Sequence, residues 1–126
     1  FFKKVTLVEH NRDALVFAAQ NLAGKNYELI GLSGEKWVSS LPKNDEKRFD
    51  AVVIDPPRSG METKVRKWLC SSNIPQIRSV SCDPATHARD VKELVSYGYR
   101  LEKLFLLDFY PNTSHIESLA VLKKDL

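Results

Sequence analysis

Cysteine is scarce in this sequence: the 126 residues include only two, Cys70 and Cys82. They lie in unlike contexts and do not form the repeated pattern of a disulfide framework. No pair of Cys or His residues has the spacing of metal ligands, so we expect no metal site. No apolar run is long enough to span a membrane, and no signal peptide precedes the first predicted strand. We therefore expect a reducing cytoplasm and no membrane partner.

Strong charge of either sign is also lacking. The formal net charge of +3 is compatible with a nucleic-acid partner but too small to indicate one. Internal repeats, low-complexity tracts and linkers are absent as well. The length and an apolar fraction of 43% are typical of one soluble globular domain at most.

Short apolar runs alternate with helical patterns along most of the chain. The run at 50–55 is continuous and lies between two acids, which predicts a strand buried on both faces. The segment 39–48 is polar, and we interpret it as a surface loop or the end of a short helix. The runs at 101–107 and 116–122 are joined by a connection too short for a crossover helix, so the last strand should be antiparallel. This order predicts an α/β sandwich with a mostly parallel sheet.

Two helices have clear local signals. The first begins after Asn11, a good N-cap residue, and ends at Gly24. The second has Asp83 as its predicted N-cap and Pro84 at its first helical position, and Gly98 lies just beyond its end. The predicted buried face of the second helix consists of Ala88, Val91, Leu94 and Val95.

The turn between the predicted strand at 77–81 and the second helix places Cys82 next to a helix N-terminus. Unpaired N–H groups there favour a thiolate over a thiol, and the thiolate is the nucleophilic form. The alternative is that Cys82 is a small buried apolar residue at a strand end, which is the commonest use of a free cysteine. Cys70 is predicted to lie in the core, and His10 and His87 on helix surfaces.

Four polar residues fall at or just after the carboxyl ends of predicted strands, where ligands gather in α/β sheets. Glu9 is placed to accept hydrogen bonds from ribose hydroxyls, or it is a solvated charge at a strand end. Asp55 is held over its strand end because Pro56 and Pro57 fix the backbone. The alternative is a loop acid paired with Arg58. The four residues are Glu9, Ser33, Asp55 and Cys82.

His115 and Glu117 lie at the start of the last predicted strand. The neighbours of Glu117 are apolar, so we expect it to be partly buried. Burial raises the pKa of a carboxyl group and suits it to proton transfer near neutral pH. A salt-bridged structural glutamate is the alternative.

The chain resembles the RNA uracil-5-methyltransferases, the S-adenosylmethionine-dependent enzymes that make 5-methyluridine in transfer and ribosomal RNA. The resemblance covers nearly all of the chain and follows the family's order of motifs. These motifs are Val8-Glu9, Asp55-Pro56-Pro57-Arg58, the segment 81–90 around Ser81-Cys82-Asp83-Pro84, and the segment 108–118 that ends in His115-Ile116-Glu117-Ser118.

The resemblance implies a role for each candidate residue. Cys82 would be the nucleophile that attacks C6 of uracil, and Glu117 would accept the proton from C5. Glu9 would bind the ribose of S-adenosylmethionine, and Asp55 would lie by the reactive end of this cofactor. Ser33 matches, more weakly, a position on the adenine side. An RNA substrate with a flipped or looped-out uridine is implied.

The resemblance also has departures. The family usually has Asn at the position of Asp83 and often Tyr at that of Val80. Its catalytic domain opens with a strand and a glycine-rich loop, and an RNA-binding portion lies upstream; all three are missing here. We therefore interpret residues 1–126 as the C-terminal portion of a Rossmann-like class I methyltransferase domain, inactive without the N-terminal part of the same protein. The strands ending near Glu9 and Asp55 should then have unpaired edges, which could pair with each other or with another chain.

Two other functions stay open on the residues alone. One is a methyltransferase of the same fold that acts on a different base or on a small molecule. Cys82 distinguishes it, because methylation of exocyclic nitrogen or oxygen atoms needs no covalent thiol. The other is a non-catalytic RNA-binding or scaffolding module.

Overall fold

The computed structural model describes residues 2–43, 45 and 49–125. The chain divides into two compact units, Phe1–Leu41 and Pro42–Leu126. The first unit contains β1 (Val5–Val8), α1 (Arg12–Asn21), β2 (Tyr27–Ile30) and α2 (Gly34–Ser40). The second contains β3 (Ala51–Ile54), α3 (Thr63–Ser71), β4 (Gln76–Ser81), α4 (Pro84–Ser96), β5 (Arg100–Leu107) and β6 (Glu117–Lys123). Within the described residues, no helix combines the length and the hydrophobicity needed to cross a membrane.

The first unit is a parallel pair of strands with two helices. β1 and β2 pair in register, and Asn11 caps α1 by accepting hydrogen bonds from the N–H groups of Asp13 and Ala14. This confirms the predicted cap. No described side chain of the first unit is fully buried, and Val16 and Phe17 of α1 are exposed. Two short strands and two short helices are too few to enclose a hydrophobic core.

The helix α2 has no counterpart among the predicted helices. Ser33 caps it by accepting from the N–H of Lys36 at 3.4 Å. Gly34 at its start and two serines at its end are weak helix formers, so the sequence pattern does not reveal it. The first two residues of the segment 39–48 are the last two of α2. This agrees with the interpretation of the segment as the end of a short helix. Residues 44 and 46–48 of this segment lie outside the described residues.

The second unit contains a four-stranded sheet in the order β3-β4-β6-β5. β3 runs parallel to β4, whereas β6 is antiparallel to both β4 and β5. The α/β class and the antiparallel last strand are therefore confirmed. Of the four pairings among the described strands, β1–β2 and β3–β4 are parallel and the other two are antiparallel. Among the described residues, β1 is paired only with β2 and β3 only with β4.

The hydrophobic core of the second unit lies between its sheet and the helices α3 and α4. Alternate residues of β4 and β6 are buried, which places one face of each strand in this core. Cys70 of α3 is 3% exposed and belongs to the core, as predicted. The core residues with no exposed surface are Leu69, Ile74, Ile77, Leu94, Ala120 and Leu122.

The prediction that the run 50–55 is buried on both faces is wrong. Val52 and Ile54 of β3 pack against the core, but Val53 between them is 69% exposed. Side chains alternate along a strand, so Val53 points to the opposite face of the sheet. β3 is the last strand on its side of the four-stranded sheet.

The predicted buried face of α4 is rotated from the observed one. Val91 and Leu94 are buried as expected, but Ala88 and Val95 are exposed. His87 and Asp90 take their places on the buried face, at 5% and 1% exposure. A prediction from apolar character alone fails here, because two polar residues that have hydrogen-bond partners are buried next to Val91 and Leu94.

Candidate active site

Three candidate residues lie at one edge of the sheet of the second unit. Asp55 follows the last residue of β3, and Cys82 follows the last residue of β4. Glu117 is the first residue of the antiparallel strand β6. Its neighbour Ser118 pairs with Ser81 across the two strands. Cys82 and Glu117 therefore each lie one residue beyond the same cross-strand pair, at the carboxyl end of the parallel strands.

The turn that carries Cys82 is held by hydrogen bonds on both of its sides. The Ser81 hydroxyl accepts from the N–H of Asp83 and donates to the carbonyl of the same residue, both at 3.1 Å. Asp83 caps α4, with Pro84 at the helix start, as predicted. Hydrogen bonds from Thr86 lower the pKa of the Asp83 carboxyl group, and the bond from its N–H has a larger effect than the bond from its hydroxyl. Cys82 itself is half-buried.

His87 joins α4 to the start of β6, although the sequence predicts it on the helix surface. Its Nδ1 lies 2.6 Å from the hydroxyl of Ser118. That hydroxyl in turn donates to the carbonyl of Ser81 at 3.3 Å. Burial lowers the pKa of His87, while the Asp90 carboxylate and the Ser79 carbonyl act in the opposite direction with smaller effect. The neutral imidazole is therefore favoured.

The loop after Asp55 is tied to α4 and to the segment before β6. The carbonyl of Arg58 accepts from the Thr86 hydroxyl at 3.0 Å. The guanidinium Nη2 of Arg58 lies 3.1 Å from Nδ1 of His115. The alternative read from the sequence pairs Arg58 with Asp55, whereas in the structure its guanidinium meets His115. Asp55 is exposed and Glu117 half-buried at this edge.

A buried carboxylate that the sequence did not single out anchors the same loop. Asp90 is 1% exposed and accepts from the N–H of Met61 at 2.7 Å. Arg89 and Arg66 pair with its other oxygen at 2.7 and 3.3 Å, and Arg89 also donates to the Ser59 carbonyl. The only signal in the sequence is that Asp90 ends the segment 81–90, one of the motifs that carry the resemblance. Within the described residues, no three His, Cys, Asp or Glu side chains are grouped to hold a metal ion.

The other two candidates lie in the first unit, at the carboxyl ends of its strands. Glu9 follows β1, and its Oε1 accepts from the N–H of Asn11 at 2.7 Å and lies 3.3 Å from His10. The Glu9 side chain is 37% exposed, so its carboxylate is open to a ligand. Ser33 follows β2 and caps α2. Within this unit both residues lie at the edge where nucleotides bind in α/β folds.

Comparison with solved structures defines the class of fold. The chain matches the crystal structure of Pyrococcus abyssi tRNA (uracil-54, C5)-methyltransferase in complex with S-adenosyl-L-homocysteine, with a TM-score of 0.75 and 32% identity. This match covers 94% of the chain and 28% of that structure. A SAM-dependent methyltransferase of Leishmania major matches 98% of the chain and 56% of its own, with a TM-score of 0.68 at 17% identity, which supports the fold alone. The fold is that of the class I S-adenosylmethionine-dependent methyltransferases.

Sequence comparison narrows this class to a family. Residues 1–125 match the model of the tRNA (uracil-5-)-methyltransferases, and the chain belongs to this family. An uncharacterized RNA methyltransferase of Treponema denticola is 41% identical over 98% of the chain, and the 23S rRNA (uracil(1939)-C(5))-methyltransferase of Pseudomonas fluorescens is 34% identical over 96%. The matches cover 34% and 27% of these relatives, so the chain spans about a third of their length or less.

Proposed function

We propose that this chain is the part of an RNA (uracil-5-)-methyltransferase that carries the nucleophile and the proton acceptor. The enzyme would methylate C5 of a uridine in transfer or ribosomal RNA. The arrangement of Cys82 and Glu117 beyond one cross-strand pair carries the proposal, because this reaction needs a nucleophile and a base on one substrate ring. Family membership supports it, as do relatives named for uracil C5 of tRNA and of 23S rRNA.

The proposed reaction begins at Cys82. Its thiolate forms a bond to C6 of the uracil ring, and the ring electrons move to give an enolate whose C5 is nucleophilic. C5 takes up a methyl group that S-adenosylmethionine would supply, and S-adenosylhomocysteine would be the product that leaves. Glu117 then removes the proton from C5, the C5–C6 double bond re-forms, and the bond between C6 and the Cys82 sulfur breaks. Both the enzyme thiolate and an aromatic pyrimidine are regained.

Other residues of the chain bind and orient the reactants in this proposal. Glu9 fits a ribose, because its partly exposed carboxylate stands at the carboxyl end of a parallel strand. Ser33 lies at the corresponding end of β2 and would contact the adenine side of S-adenosylmethionine, and Asp55 would lie by its reactive end. Arg58 is a candidate to stabilise the developing enolate oxygen, because Thr86 and His115 both hold it at the site edge.

We also propose that the chain acts within a longer polypeptide and binds S-adenosylmethionine weakly or not at all by itself. The support is its share of its relatives' length and the incomplete core of the first unit. Isothermal titration of the 126-residue chain with the cofactor should give no measurable binding heat. A tight isotherm would contradict this proposal.

The experiment that tests the reaction uses the full-length protein and RNA that contains 5-fluorouridine. Fluorine at C5 does not leave as a proton does, so the reaction should stop with RNA covalently attached to Cys82. A denaturing gel and mass spectrometry detect the adduct, which should be absent in Cys82→Ala and present in the control Cys70→Ala. If protein that binds S-adenosylmethionine forms no adduct with tRNA or rRNA, a different substrate is favoured.

A further inference from the structure

We propose that His87 is a positioning residue that holds Glu117 in place for removal of the C5 proton. The inference rests on the proposed function, because it assigns His87 a part in the second half of that reaction. The hydrogen bond of His87 is with Ser118, the residue after Glu117.

The geometry forms a short chain of contacts from helix to strand to turn. His87 Nδ1 meets the Ser118 hydroxyl at 2.6 Å, and this hydroxyl donates to the Ser81 carbonyl at 3.3 Å. All three residues are at most 5% exposed. In a buried environment such hydrogen bonds fix geometry, because water does not compete for the partners. These hydrogen bonds therefore fix the distance between α4 and the start of β6, where Glu117 lies.

The two reacting side chains depend on this chain of contacts to different degrees. The turn of Cys82 has anchors of its own, since the Ser81 side chain and the Asp83 cap fix it on both sides. Glu117 is the first residue of β6 and follows a segment, 108–116, that belongs to no strand. Its backbone pairs with Leu107 of β5, and the next fixed side chain is Ser118. Loss of the contact to His87 should thus displace Glu117 more than Cys82.

The choice of a histidine also needs an explanation other than packing. Its ring is buried, and burying a polar imidazole costs more free energy than burying an aliphatic side chain. The contact of Nδ1 with Ser118 is what such an aliphatic side chain could not provide. The neutral form of His87, favoured by burial, suits a hydrogen-bonding role.

The test compares two reactions of the full-length protein. Adduct formation with 5-fluorouridine RNA requires Cys82 and methyl transfer, but not removal of a C5 proton. Turnover of ordinary RNA also requires Glu117. In His87→Leu we expect adduct formation close to that of the wild type, whereas turnover falls about 10-fold or more, as for a misplaced catalytic group. Covalent complex with ordinary RNA should accumulate because its release is slowed.

Three variants sharpen the result. His87→Asn places an amide near the position of Nδ1 that can donate or accept, so it should restore most of the turnover. Ser118→Ala should reproduce the loss, and combining it with His87→Leu should add little, because both remove the same contact. Tyr99→Phe is the matched control: it removes a buried hydroxyl bonded to Ser72 and Ile74, before the start of β4, and should change stability without separating the two reactions.

The outcomes separate the inference from the proposed function. Equal losses of adduct formation and turnover in His87→Leu and Ser118→Ala, or wild-type behaviour in both, would overturn the inference while the wild-type adduct keeps the proposed function intact. If His87→Leu does not fold, the comparison of Ser118→Ala with wild type decides. If wild-type protein forms no adduct, the proposed function fails and the inference with it.

Discussion

At the scale of single residues, the two cysteines differ in what surrounds them. Cys70 is 3% exposed, and burial, with a smaller contribution from Glu93, raises the pKa of its thiol. Cys82 is half-buried on a turn. Since the thiolate is the reactive form, iodoacetamide at neutral pH should alkylate Cys82 well before Cys70. Mass spectrometry of tryptic peptides measures both rates, and Cys82→Ser should leave only slow labelling. Comparable rates at the two cysteines would contradict this reading of their surroundings.

His87 makes protein stability depend on pH in a defined direction. Burial lowers its pKa in the folded state below the ordinary value of 6.5. As the pH falls through 6.5, the unfolded chain therefore binds a proton that the folded chain resists, and the free energy of unfolding decreases. Denaturant titrations from about pH 7.5 to about pH 5.5 should show a smaller decrease in His87→Asn than in wild type.

The slopes of the two pH titrations are the quantity to compare. Equal slopes for wild type and His87→Asn would show that burial of His87 does not matter for stability.

At the scale of elements, the loop after β3 depends on a glycine. Gly60 has a φ of 86°, and a Cβ there would lie 2.4 Å from Nη2 of Arg89 and 2.6 Å from the Asp90 carboxylate. Gly60→Ala should therefore cost the left-handed backbone strain of about 1–2 kcal/mol and about 1–3 kcal/mol more for displacing the Asp90 network. Denaturant midpoints measure the loss.

Gly98 is the matched control for the loop, because it lies in the same unit as Gly60. Its φ is 95°, and a Cβ there would meet Cε of Lys124 at an ordinary contact distance of 3.6 Å. Gly98→Ala should show the backbone strain without the clash at Arg89 and Asp90. Equal losses for the two variants would mean that the contact of the loop with Arg89 and Asp90 contributes nothing to stability.

Elements were predictable where their signals are local. Asn11 and Asp83 were correctly predicted as caps because a cap depends on a side chain and the next few N–H groups. The face of α4 was predicted wrongly, since burial of His87 and Asp90 is decided by partners on β6 and in the loop after β3. α2 was missed because it has only seven residues, of which Gly34 at its start and the two serines at its end are weak helix formers.

At the scale of the whole molecule, the sequence predicted which residues lie at the sheet edge better than it predicted the contacts that hold them there. Asp55, Cys82 and Glu117 come to one edge because strand direction alone decides it. Glu9 and Ser33 were placed correctly at strand ends of the first unit for the same reason. The contacts that fix the edge, through Asp90, His87 and the Arg58–His115 pair, join residues 24 to 57 positions apart, and no local pattern encodes them.

The two units should also differ in stability within one molecule. The first has no fully buried side chain among its described residues, whereas β4 and β6 lie in a closed core. Local opening requires less free energy where fewer apolar side chains are buried. In hydrogen exchange of the 126-residue chain, the amides of β1 and β2 should therefore exchange before those of β4 and β6. Because β1 and β2 are paired, their amides should still exchange more slowly than those of an unstructured peptide. Exchange at the rate of an unstructured peptide would mean that the first unit is unfolded. Equal protection of all four strands would mean that the first unit gains its stability from burial that its own side chains do not provide.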